Sequence, residues 1–211
     1  MKRLTLANKK LIAALQSTTD FVFHPERRKI IEDSIKLRED PNITQYAGWE
    51  DGYLAEALKK PVKDYGFPLS LNGIELVQLP NQKIFDQIWA HIKQIQEVLG
   101  VGYHALSAYY PQKGYIGWHH NGNAPGYNLL LTYNPDGNGW FKYYDLKTKQ
   151  IVTMEDTPGW SAKVGYYGRQ DTERDKLFWH AAYTESPRLT ISFVMNHHDM
   201  WNDIIDDIQT P

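Results

Sequence analysis

The chain has 211 residues, enough for one domain with a full hydrophobic core or one domain with a helical extension, and too short for two comfortable ones. Its 42% apolar and 23% charged residues are ordinary for a globular protein, while seven Trp and fourteen Tyr point to a ring-rich core, pocket or contact surface. A formal net charge of −2 gives no long-range attraction to duplex nucleic acid, and the absence of Cys excludes disulfides, thiolate metal sites and cysteine nucleophiles.

From the N-terminus, "MKRLTLANKKLIAALQ" is basic, with an apolar stretch too short and too interrupted for a secretory signal, and it reads as a cytoplasmic amphipathic helix over about 5–16. Further helical patterns occupy about 25–38 and 50–59, with "STTD", "EDPNI" and "KKP" as breaks, and "GIELVQLP" (73–80) reads as a strand. The run 82–100 places Ile84, Phe85, Ile88, Trp89, Ile92, Ile95, Val98 and Leu99 at helical spacing, and Gly100 is set to end it. No apolar run is long enough to cross a bilayer as a helix.

After Gly100 the period changes. Short β-rich runs fall near 102–110, 115–120, 127–133, 139–145, 149–154, 160–167, 177–183 and 188–196, with turn signals such as "NPDGNG" and "TPGW" between them. Eight short strands without intervening helices point to a jelly roll or sandwich, and 199–209 returns to an acidic helical pattern. The expected fold is α+β: a single domain over 1–211, with a mainly helical part (1–100) buttressing a jelly-roll core (101–197) and a C-terminal helix (198–211).

In this frame His119 or His120, near a strand end, and His180, on a distant strand, are positioned to share one metal. Arg188 opens the last alternating strand, and its planar fork suits a carboxylate. Two histidines, an oxygen donor and an arginine suit non-haem Fe(II), whose facial triad leaves positions open for an oxo acid and dioxygen.

The segments "YYPQKGYIGWHHN", "LLLTYNPDGNGWFKYYD", "PGWSAKVGYYG" and "LFWHAAYTESPRLTISF" together resemble the Fe(II)/2-oxoglutarate-dependent dioxygenase superfamily over about residues 102–196. The resemblance implies a double-stranded β-helix. It also implies Fe(2+), 2-oxoglutarate and O2 as cofactor and cosubstrates, with hydroxylation of a second substrate and release of succinate and CO2. By the same resemblance "IGWH" marks His119 as the first iron ligand, His180 as the distal one, and Arg188 as the partner of the 2-oxoglutarate distal carboxylate. Tyr110 resembles a cosubstrate-binding tyrosine of the AlkB-type members, and packing on the barrel wall is its competing role. Thr190 shares a strand face with Arg188 and lines the same site.

The chain departs from the family where His-x-Asp or His-x-Glu is expected: it has His119, His120, Asn121. Asn121 is then a neutral third ligand, an engineered replacement, or the mark of a dioxygenase fold kept as a binding or structural protein. A further reading takes His120 to Gly122 as a halogenase-like His-x-Gly pair; Asp136 and Asp145 read as turn and strand-end residues. "NPDGNGWFKYYD" is closer to prolyl-hydroxylase-like members, while Val194 stands where AlkB-type enzymes carry a further arginine. Trp118, Tyr127, Trp140 and Tyr143 are the candidates for a substrate-stacking platform. A peptide side chain, a nucleobase or nucleotide, and a small metabolite all remain open as substrate.

Overall fold

The computed structural model describes residues 1–36, 48–59, 71–122 and 124–211. The expected break at "EDPNI" lies outside them, as does most of "KKP". Among these residues eleven strands and five α-helices follow in the order β1 (Lys2–Leu4), α1 (Lys9–Val22), α2 (Pro25–Lys36), α3 (Asp51–Ala57), β2 (Leu71–Asn72), β3 (Ile74–Glu75), α4 (Gln82–Leu99), β4 (Tyr103–Tyr110), β5 (Tyr115–His119), β6 (Gly126–Asn134), β7 (Gly139–Asp145), β8 (Gln150–Glu155), β9 (Gly159–Tyr167), β10 (His180–Thr184), β11 (Arg188–Met195) and α5 (His198–Gln209).

The strands form two antiparallel sheets, ordered β1-β9-β6-β11-β4-β3 and β2-β5-β10-β7-β8. From β4 to β11 the chain divides its strands between the sheets as β4, β6, β9 and β11 on one and β5, β7, β8 and β10 on the other. That ordering is a jelly roll, the double-stranded β-helix, and with the helices it makes the fold class α+β. The eight expected runs lie close to these eight strands, because alternation of apolar residues is a direct record of a half-buried strand.

Helices α1, α2, α4 and α5 cover the outer face of the six-stranded sheet, while α3 packs on the five-stranded one. One continuous core joins Leu11, Leu15, Ile31, Ile84, Ile88, Ile92, Ile95 and Ile208 to Leu129, Leu131, Ala162, Val164, Ile191 and Phe193. In α4 the buried Ile84, Ile88, Ile92, Ile95 and Leu99 recur every three to four residues, as a single buried stripe requires. Asn81 caps the helix by accepting from the Ile84 N–H at 3.2 Å, and Gly100 ends it at φ 66°, where a Cβ would be strained. Ile95 is fully buried, so Ile95→Val should cost about 0.5–1.5 kcal/mol, read as a lower urea midpoint at unchanged slope.

Three expectations are corrected here. The first helix starts at Lys9, because Asn8 caps it by accepting from the Leu11 N–H at 2.9 Å, while Lys2–Leu4 pairs with β9 as an edge strand. "STTD" does not break that helix: the hydroxyls of Thr18 and Thr19 donate to the carbonyls of Ala14 and Leu15 at 2.9 and 3.1 Å, so both polar groups are satisfied inside it. "GIELVQLP" is not one strand; Ile74–Glu75 pairs briefly with β4, and Leu76–Gln78 turns into a 3-10 helix that buries Leu76. Among the described residues no helix is long and apolar enough to cross a membrane.

Candidate metal and anion site in the barrel

Two adjacent strands bring the two histidines face to face. His180 pairs directly with His119 across β10 and β5, so both side chains leave the sheet on the same side. Between His180 and Ala182 the register shifts, Ala182 lying opposite Ile116, so β5 carries one extra residue there. That bulge lets Ile116 and His119, three residues apart, both line the barrel interior, while Trp118 and His120 turn outward. The imidazole centroids of His119 and His180 are 4.1 Å apart.

Both rings are held in one tautomer. Nδ1 of His119 is 2.8 Å from the Gly117 carbonyl oxygen, and Nδ1 of His180 is 2.8 Å from that of Phe178. A carbonyl only accepts, so each Nδ1 carries the proton and each Nε2 keeps its lone pair. Burial, with His120 nearby, pushes His119 down to about 4; burial and then His119 hold His180 well below its usual value. Both imidazoles are therefore neutral at pH 7, the form that binds a metal. Asn121, two residues past His119, lines the same cavity. Among the described residues no cluster of three His, Cys, Asp or Glu is placed to hold a metal, so an acidic third donor is not supplied from elsewhere in them.

The cavity encloses about 210 Å³ and reaches from these residues to Arg188, Thr190 and Tyr110. Arg188 and Tyr110 are direct partners across β11 and β4, with the guanidinium 5.8 Å from the phenol ring centroid. Burial raises the Tyr110 hydroxyl to about 12, with Arg188 opposing, so it stays a neutral donor. Thr190 lies two residues further along the same wall, and its buried Oγ1 has no partner among the described residues. The structure thus brings His119, Asn121, His180, Arg188, Tyr110 and Thr190 around one space.

Two residues that the sequence reading passed over complete the arginine end. Asp156 follows β8, and its Oδ2 is 3.0 Å from Arg188 Nε while its Oδ1 is 3.4 Å from Nη2 and 3.2 Å from Lys163 Nζ. All three side chains are almost wholly shielded from water. Burial alone would raise the Asp156 carboxyl, but Arg188 and then Lys163 outweigh it and hold the group below the usual carboxylate range. Lys163 is pushed down to about 8, burial outweighing the attraction of Asp156, with Arg188 adding to the fall. One signal for Lys163 was available. Its neighbours Ala162 and Val164 belong to the helix-facing core, so period two puts Lys163 on the barrel side.

The aromatic platform is not assembled. Trp118 lies outside the cavity, buried with Leu54, Ala57, Trp179 and Ala181 beneath α3, its indole N–H donating to the Glu50 carbonyl at 3.1 Å. Trp140 faces the same outer side, 6.1 Å from Trp49 and 5.9 Å from Tyr183 between ring centroids. Tyr127 packs on the far face of the other sheet against Trp201 of α5 at 5.1 Å. Period two explains all three: each alternates with an inward residue, respectively His119, Phe141 and Asn128. Tyr143 points inward but stacks on Phe178 at 5.2 Å, outside the cavity lining. His120 packs its ring against Trp179 at 4.7 Å, away from His180, which removes the His-x-Gly arrangement. Asp136 and Asp145 hold turns, accepting from the backbone N–H groups of Asn138 and Lys147 at 2.9 and 2.8 Å.

No protein-family model matches the chain, and no curated protein matches it. Among solved structures, a prolyl-4-hydroxylase from Pseudomonas putida aligns at 12% identity over 89% of this chain and 99% of that one, with a TM-score of 0.32. A prolyl hydroxylase from Trichoplax adhaerens, solved with a hypoxia inducible factor peptide, aligns at 11% identity over 86% and 97%, with a TM-score of 0.37. A collagen prolyl hydroxylase from Paramecium Bursaria Chlorella virus-1 gives 13% identity over 67% and 86%, with a TM-score of 0.32. At these scores the likenesses place no residue and carry no activity to this chain; the jelly-roll assignment rests on its own strand order.

Proposed function

We propose that the protein is an Fe(II)- and 2-oxoglutarate-dependent oxygenase. The observation that carries this reading is a single cavity with two neutral, tautomer-locked histidines at one end and a buried arginine at the other. The donor set fits the metal: two imidazole nitrogens and the amide oxygen of Asn121 suit a divalent first-row ion with open positions. The far wall fits an oxo acid that ends in a carboxylate, because Arg188, the Tyr110 hydroxyl and the unpartnered Thr190 hydroxyl are donors.

His119, His180 and Asn121 would hold the iron, and the Gly117 and Phe178 carbonyls keep the two rings aimed. Arg188 would orient the cosubstrate by its far carboxylate, with Tyr110 and Thr190 beside it. When bound, iron and 2-oxoglutarate supply the oxidation: O2 converts 2-oxoglutarate to succinate and CO2, and the second oxygen atom is inserted into a substrate C–H bond. The apolar lining of Leu106, Ile116, Leu130, Phe141 and Ala182 keeps bulk water from that space.

A second reading has one observation in its favour, the lack of a third acidic donor beside the histidines among the described residues. It takes the protein as a non-catalytic binding module with the same fold. Anaerobic Fe(II) titration followed by an O2-dependent succinate-release assay separates the two. One equivalent of iron with succinate release is expected; absence of both iron and 2-oxoglutarate binding would leave only the module.

A further inference from the structure

Lys163 has no contact with the cavity, is fully buried, and carries an ammonium group that water would stabilise far better than the barrel interior does. Its partner Asp156 already has Arg188, whose Nη2 donates to Oδ1 at 3.4 Å and whose Nε lies 3.0 Å from Oδ2 as an ion pair without a hydrogen bond. An isolated Asp156–Arg188 pair would be electrically neutral. Such a pair holds little attraction for a further carboxylate, which would have to compete with Asp156 for the same guanidinium.

Lys163 changes that balance. At 3.2 Å from Oδ1 it divides the carboxylate between two cations, and Asn134 Nδ2 adds a longer contact to Oδ2 at 3.4 Å. Two buried cations and one buried anion leave a single positive charge in excess. The only member of the trio that lines the cavity is Arg188, so the excess is presented there. Resting on the 2-oxoglutarate reading above, we propose that Lys163 is a positioning residue for the cosubstrate: by sharing Asp156 with Arg188 it leaves the arginine end of the cavity one positive charge in excess, which selects a ligand ending in a carboxylate. Arg3, the direct neighbour of Lys163 across β1 and β9, is a further charge near the ammonium, and its guanidinium donates to the Glu155 carbonyl.

The test uses the whole chain loaded anaerobically with Mn(II). Dissociation constants are measured for 2-oxoglutarate and for 2-oxobutyrate, which has the same oxo-acid head and no second carboxylate. Lys163→Met should weaken 2-oxoglutarate binding about tenfold or more, the worth of about one charge-assisted hydrogen bond, and leave 2-oxobutyrate and Mn(II) binding within about twofold. The double variant Lys163→Met with Asp156→Asn removes one charge of each sign, leaves Arg188 alone with the same excess, and should regain most of the lost affinity. A merely structural role predicts that both ligands weaken together and that the second substitution makes matters worse.

Equal 2-oxoglutarate affinity in the unmodified protein and Lys163→Met overturns the role of Lys163 alone. If Lys163→Met does not fold, the double variant decides: affinity within about threefold of the unmodified protein supports the charge balance, and a tenfold loss overturns it. Failure of the unmodified protein to bind 2-oxoglutarate overturns this proposal and the oxygenase reading together.

Discussion

Replacing Asn121 with Asp is expected to tighten Fe(II) or Mn(II) binding by about 10–100-fold and to raise succinate release by at least as much under limiting metal. A carboxylate brings a full negative charge where the amide offers only a dipole, and the cost of desolvating it offsets part of that gain. A 10–100-fold change corresponds to about 1.4–2.8 kcal/mol. With two neutral imidazoles and one neutral amide as its donors, the ion would keep its full dipositive charge. An anionic oxo acid then meets a more positive metal, so Asn121→Asp should tighten the metal without tightening 2-oxoglutarate on the loaded protein. Metal titration and 2-oxoglutarate titration of the two proteins, carried out separately, check both halves. Unchanged metal affinity would show that position 121 is not a donor and would favour the binding-module reading.

The sequence exposes His119 and His180 because each stands in an alternating strand, and strands far apart in the chain become neighbours in a jelly roll. It does not expose the bulge in β5, which depends on the partner strand β10 and only becomes visible in the pairing of Ala182 with Ile116. Trp118, Tyr127 and Trp140 suggest a platform by ring content alone, which does not record the face that each ring occupies. In the fold Trp118 and Trp140 lie under the segment from Gly48 to Ala57, whose Asp51 forms an ion pair with Lys142 at 2.9 Å. Asp156 and Lys163 were missed for a different reason. An aspartate before "TPGW" has the composition of a turn, and a lysine in a strand has that of a solvent-facing charge. Only the three-dimensional closure of the barrel shows that Arg188, Asp156 and Lys163 neutralise one another in part.

Removing that carboxylate has the largest expected effect on stability. Asp156→Ala leaves Arg188 and Lys163 as buried cations with no compensating charge between them, and breaking a buried pair in this way costs about 3–5 kcal/mol. Urea unfolding at pH 7 should show the loss, and the double variant Asp156→Asn with Lys163→Met should lose clearly less, because it strands only one cation instead of two. The pH dependence has a definite sign for each group. Asp156 has its carboxyl held below the usual range, so its contribution is present at neutral pH and is lost as pH falls through its folded value. The gap between the unmodified protein and Asp156→Ala should therefore close in acid. Lys163, pushed down to about 8, is neutral in the folded chain above that pH while the unfolded chain still binds the proton up to about 10.4. The unfolded state then holds more protons, and stability rises with pH across that window by up to about 1.4 kcal/mol per pH unit from this group. Lys163→Met should lack this rise, so the two proteins, compared at pH 7.5 and pH 10, should differ in slope as well as in midpoint.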